Sequence, residues 1–131
     1  MQLTEAPQWG VCMRYPKILN LGDPGLEHLF DGPVVVEEKV DGSQFRAWFD
    51  ENGVLRFGSK TVNYTDERLP DKMFMPAVAA AEHHLSLPEL RLSNVFFVFE
   101  FLAEKQQNAL TYGRTPKDHL VLLDVCEKGV W

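Results

Sequence analysis

Three consecutive valines, Val34 to Val36, run into Glu37-Glu38-Lys39-Val40-Asp41-Gly42. A stretch with the β-branched content of a strand thus carries four charges in its last five positions before a glycine turn. The natural reading of residues 34–40 is a half-buried strand with Asp41-Gly42 as its exit. Alternation sets Glu37, Lys39 and Asp41 on one face, and Glu38 on the other with Val36 and Val40. Burying an uncompensated ammonium or carboxylate costs several kcal/mol or more. These charges must therefore be paired, face solvent, or serve chemistry.

A chain of 131 residues, 45% hydrophobic, is long enough for one compact core and too short for two ordinary domains, so residues 1–131 read as a single unit. With 13 Lys and Arg against 19 Asp and Glu, the net charge is −6. That excludes a global basic field of the kind that drives nonspecific nucleic-acid binding; any such contact is local. Cys12 and Cys126 lie far apart without a CxxC or His-rich companion, which indicates reduced thiols rather than a zinc site or a disulfide framework. Met1 to Gly10 lacks the basic and apolar regions of a leader, and no apolar run reaches membrane-span length. The expectation is a cytoplasmic protein with no membrane partner.

Prolines at 7, 16, 24 and 33 alternate with glycines at 10, 22, 25 and 32, giving residues 1–33 the punctuation of a loop-rich lead-in. Asp23-Pro24 predicts one short helix over 26–30. Beyond the lysine, Phe45, Ala47 and Phe49 alternate with Arg46, Trp48 and Asp50, and Glu51-Asn52-Gly53 predicts a hairpin into Val54-Leu55-Arg56-Phe57. An Ala-rich helix is expected over 76–87, stopped by Pro88. The most apolar strand, 95–99, delivers Glu100. A polar loop over 104–117 then leads to a strand over 120–125. Strands in hairpin order with one intervening helix predict an α+β fold, mainly antiparallel sheet with few helices. Phe96, Phe97, Phe99 and Phe101 read as core packing. His83 and His84, adjacent on a helix, read as a solvated pair.

Lysine attacks only when neutral, and its ordinary pKa of about 10.4 leaves roughly one molecule in a few thousand deprotonated at pH 7. Burial or a nearby cation favours that form; Glu37 and Asp41 oppose it. On the residues alone, Lys39 is open to two readings, a salt-bridged structural lysine or a nucleophile.

Glu38-Lys39-Val40-Asp41-Gly42-Ser43 resembles motif I, KxDG, of the covalent nucleotidyltransferases, which include the DNA ligases, RNA ligases and mRNA capping enzymes. Ser43, Gln44 and Phe45 are similar to the RNA ligase branch, since DNA ligases usually carry Arg at the Gln44 position. Phe57-Gly58-Ser59-Lys60 resembles motif Ia, and Phe97-Val98-Phe99-Glu100 resembles motif III. Residues 107–117, running into His119-Leu120-Val121-Leu122-Leu123-Asp124-Val125, look like the loop and motif IIIa strand of phage-type, RNA ligase 2-like enzymes. The resemblance spans 34–131, with the lead-in 1–33 outside it. It implies a nucleotidyltransferase (ATP-grasp-like) ligase fold, incomplete at the C-terminus because the family's motifs IV and V would follow Trp131.

The activity so implied is that of an ATP-dependent RNA ligase with Mg²⁺ or Mn²⁺ as cofactor. Lys39 forms a lysyl-AMP intermediate, AMP passes to an RNA 5′-phosphate end, and a 3′-hydroxyl end displaces it. By the same resemblance Glu38 sits at the adenine, Gln44 and Glu100 take the ribose hydroxyls, and Val40, Asp41, Gly42 and Ser43 form the motif turn. Lys60 contacts nucleotide or the incoming end, and Leu123 covers the base face where the family commonly has an aromatic ring. Arg56, Arg114 and Lys117 are candidate RNA contacts, and no metal ligand is identified. Plainer readings stand beside these: Glu100 as a solvent-facing strand end, Arg56 and Lys60 as surface charges, Arg114 and Lys117 as an ordinary polar loop. The alternative function is a nucleotide- or RNA-end-binding module without the chemistry.

Overall fold

The computed structural model describes residues 14–92 and 94–131; Cys12 and the start of the lead-in lie outside them. The described residues form an α+β fold: one antiparallel four-stranded sheet and one α-helix. The strands are β1 (Ser43–Phe49), β2 (Leu55–Ser59), β3 (Val95–Phe101) and β4 (Leu120–Glu127), in the order β2-β1-β3-β4. No helix among the described residues is long and apolar enough to cross a membrane.

β1 and β2 form the expected hairpin. Its turn is closed by Asp50, whose Oδ1 accepts from the amides of Asn52 and Val54, both at 2.9 Å, and Gly53 supplies the positive φ of 74°. The aromatic run over 95–101 becomes the inner strand β3, and Glu100 stands inside it, one residue before its end. Two-sided burial follows from that position: Val95, Phe97, Phe99 and Phe101 face the helix, while Phe96 packs with Trp48 and Cys126 on the opposite face. Phe45 is stacked against Phe57 and Phe74, each with centroids 5.7 Å apart, an offset aromatic arrangement that adds to simple area burial.

Helix α1 (Met75–His84) starts with Pro76 in its first turn and lays Ala77, Val78 and Ala81 against this core. It ends earlier than the expected 87, because Leu87, preceding Pro88, is held in the extended region. Just before β4 the chain makes a tight turn with Asp118 and His119 both at positive φ. There Asp118 pairs with His84 at 2.8 Å, fastening the end of α1 to the start of β4.

Two expectations are overturned. Residues 26–30 form successive i to i+3 turns rather than a helix; Gly22 and Gly25 take positive φ, and the segment is too short to offset helix nucleation. Residues 34–40 belong to no strand and join no ladder, so Lys39 is not on a strand. Both edges of β1 are already taken, by β2 and β3. β-branching favours the extended backbone, yet without a partner strand Val35 and Val36 stay 86% and 88% exposed.

Candidate functional site

On the sheet face opposite α1, one end is filled by Trp48, Phe96 and Cys126, with Trp131 against them. The other end is open and forms the floor of a cleft of about 840 Å³. Strand register builds that floor. Gln44 on β1 is the direct cross-strand partner of Glu100 on β3, so both side chains rise from the same face. In β4 the register passes from Phe99–Leu122 to Val98–Asp124, which leaves Leu123 as an inserted residue. The bulge turns Leu123 into the cleft beside Asp124.

Lys39, Val40, Asp41, Gly42, Ser43, Gln44, Lys60, Glu100 and Leu123 all line this one cleft. Glu38 does not. It borders a neighbouring hollow of about 580 Å³ with Arg114 and Tyr112, on the far side of Val40. Arg56 lies in neither, its guanidinium held by Asp50 at 2.8 Å and Asp66 at 3.3 Å. Lys117 is exposed and also lines neither hollow.

The Asp41-Gly42 turn is fixed from two directions. From β3, Glu100 Oε1 accepts the Gly42 amide at 3.0 Å. From the loop over 103–112, the Ala109 and Leu110 amides both donate to Asp41 Oδ2 at 2.7 Å. The Asp41 amide in turn donates to the Tyr112 hydroxyl at 2.8 Å. Asn108 Nδ2 donates to the Gly42 carbonyl at 2.7 Å, and Gln107 Nε2 to Ser43 Oγ at 2.5 Å. A turn that would otherwise sample several conformations is thereby held in one, with the exposed Lys39 two residues before Asp41. Tyr112 and Asn108 were not distinguished in the sequence; the amide-rich string Gln106-Gln107-Asn108 after an apolar strand was the available signal.

The electrostatics follow from these contacts. The amides of the 109–110 segment, Asn108 and nearby Lys39 hold the Asp41 carboxyl below its ordinary value, the Leu110 amide contributing most. Glu100 moves the other way, because burial raises its pKa more than the Gly42 amide and the ammonium groups of Lys39 and Lys60 lower it. A carboxyl that binds its proton more tightly folded than unfolded penalises the fold when ionised. The penalty is absent below the ordinary value of 4.5 and grows as pH rises through the folded pKa. Glu100→Gln is accordingly expected to raise Tm at pH 7 by about 1–3 °C, the difference shrinking towards pH 4. A Tm gain that is the same at both pH values would contradict this.

Beneath the cleft lies a residue that the alternation of β1 had marked only as polar. Arg46 is 1% exposed and packs with its guanidinium over the Trp48 ring, 5.7 Å from the centroid. Its Nε donates to the Ser59 carbonyl at 2.6 Å, and one terminal nitrogen to the Val62 carbonyl at 3.2 Å and Asn63 Oδ1 at 2.9 Å. Burial, with Arg14 nearby, pushes its pKa down to about 10. Arg46 thus ties down the turn that carries Lys60. Gly58 is required beside it, since a Cβ there would come within 2.7 Å of both the guanidinium and the Val62 carbonyl. Arg46→Met is expected to cost about 2–3 kcal/mol in urea denaturation, because buried acceptors lose their donor. A loss under 0.5 kcal/mol, on the scale of ordinary surface changes, would show that the clamp is dispensable.

One polar atom in the cleft floor is left over: Gln44 Nε2 is buried and has no hydrogen-bond partner among the described residues. An unmet donor of this kind is costly unless something else supplies an acceptor. Two acceptor-bearing carboxylates, three side-chain amides and three ammonium groups around a preorganised glycine turn can hold a polar, anionic molecule by charge-assisted hydrogen bonds. Among the described residues no group of three or more His, Cys, Asp or Glu could hold a metal ion. No family model, curated protein or solved structure matches this chain.

Proposed function

We propose that the cleft is the adenylylation site of an ATP-dependent RNA ligase, with Lys39 as its nucleophile. What carries the reading is convergence. Lys39, the Asp41-Gly42 turn, Gln44, Lys60 and Glu100, drawn from three separate stretches of sequence, meet in one cleft, and the motif resemblance assigns each of them to the nucleotide. Adenosine needs hydroxyl and base partners, which Gln44, Glu100 and Leu123, all lining the cleft, offer. Polyphosphate needs cations, which Lys39 and Lys60 offer. Glu38 borders the adjoining hollow, so an adenine contact there requires the base to reach past Val40.

In the proposed reaction Lys39 first loses a proton to solvent, and its Nζ attacks the α-phosphorus of ATP. The N–P bond forms as the bridging P–O bond breaks, and pyrophosphate leaves with the electron pair. An oxygen of an RNA 5′-phosphate then attacks the same phosphorus, returning the lysine, and a 3′-hydroxyl finally displaces AMP from the activated end. Mg²⁺ binds proteins through one or two carboxylates plus substrate phosphates and its own waters. It would therefore enter on the triphosphate and supply charge neutralisation there, without a protein cage.

The test is incubation with α-labelled ATP and Mg²⁺, followed by denaturation. Acid-labile label retained on the protein supports the ligase reading. ATP held without covalent label would instead make the cleft a nucleotide- or RNA-end-binding module.

A further inference from the structure

The lead-in contributes to the cleft a cation that lies outside the motifs. Five of the six residues 15–20 line it: Tyr15, Pro16, Lys17, Ile18 and Asn20. This strap is pinned at its start. The Tyr15 hydroxyl donates to Asp124 Oδ2 at 3.4 Å, and its ring meets Trp131 edge-on with centroids 5.1 Å apart. Trp131 is itself packed on the Trp48, Phe96 and Cys126 cluster. Pro16 fixes the next φ, so the chain leaves this anchor along the cleft wall. Lys17 forms no ion pair or side-chain hydrogen bond among the described residues, and the residues on both sides of it also face the cleft.

The cleft therefore gathers three ammonium groups, Lys17, Lys39 and Lys60, against two carboxylates. Asp41 has already spent one oxygen on two backbone amides, and Glu100 has one on the Gly42 amide. That leaves positive charge available for a polyanion. We infer that Lys17 is a third phosphate-binding residue, carried by the strap, that selects for the polyphosphate tail of the nucleotide. The inference rests on the nucleotide reading above for its ligand class. Its chemistry, ammonium to phosphate oxygen, can be measured without the adenosine half.

Calorimetric titration of the full chain with tripolyphosphate, ATP and adenosine tests it. Lys17→Ala is expected to weaken tripolyphosphate and ATP alike by about tenfold, the loss of one charge-assisted hydrogen bond, and to leave adenosine unchanged. Lys17→Arg should retain most of the affinity, and Lys72→Ala, an exposed charge control, all of it. Equal binding of tripolyphosphate by the wild type and Lys17→Ala overturns the inference, as does a wild type that binds no tripolyphosphate. A wild type that binds tripolyphosphate through Lys17 but gains nothing from adenosine sustains the inference and removes the nucleotide reading instead.

Discussion

Lys39→Ala is expected to abolish covalent labelling by α-labelled ATP. The drop should exceed about a thousandfold, since removing a nucleophile costs as much as about 10⁶ in comparable covalent enzymes. No other group can form the same phosphoramidate in the same place. Lys17 and Lys60 share the cleft, but neither adjoins in sequence the Asp41-Gly42 turn that the 103–112 loop immobilises. Lys39→Arg should fail equally, because a guanidinium does not lose its proton at any working pH. Stability should be almost untouched, within about 0.5 kcal/mol. Lys39 is exposed and forms no ion pair or side-chain hydrogen bond among the described residues, so loss of label cannot be attributed to unfolding. Undiminished label on Lys39→Ala would remove the lysine from the chemistry.

Gly42→Ala is expected to be the more damaging change for the fold. A Cβ at this position would overlap the carbonyl oxygen of Phe101 and press on the Glu100 side chain. The oxygen cannot retreat easily. It belongs to the end of β3, where Phe101 is in register with Ser43 on one side and Leu120 on the other. Either the strand end separates or the turn lifts off, and lifting costs the Gly42 to Glu100 hydrogen bond and the Asn108 contact to the same turn. A loss of about 3–5 kcal/mol is expected, at the upper end for single substitutions. That is a large share of the 5–15 kcal/mol typical of a whole domain. Urea denaturation measures it, and a loss below about 1 kcal/mol, the ordinary effect of a point mutation, would mean that the close approach is not needed. Covalent labelling should fall with it.

How much of this was legible beforehand depends on whether a signal was local. The hairpin at Glu51-Asn52-Gly53 and the alanine helix were readable because turn chemistry and helix propensity act within a few residues. The antiparallel sheet followed from hairpin order. The strand over 34–40 was misread because three valines specify an extended backbone but not a neighbour, and the neighbour's place was taken by β2, whose pairing with β1 is set by a short turn. For the site, the motif resemblance had named Lys39, Gln44, Lys60, Glu100 and Leu123, which line one cleft. Lys17 and Tyr15 were not, since their approach depends on Asp124 and Trp131, more than a hundred positions away. Arg46 was hidden for another reason. An arginine on an alternating strand reads as solvent-facing, and only the fold reveals the acceptors that surround it, among them the Ser59 and Val62 carbonyls and Asn63 Oδ1.

The links between the lysine's turn and the 103–112 loop join residues 64 to 71 positions apart. Closing a chain segment of that length is entropically unfavourable and contributes little until the sheet between its ends exists. The setting of Lys39 is therefore among the last features to form as the chain folds. It is also among the first to dissolve when the protein opens locally, so reactivity at the lysine reports on the integrity of a loop remote from it in sequence.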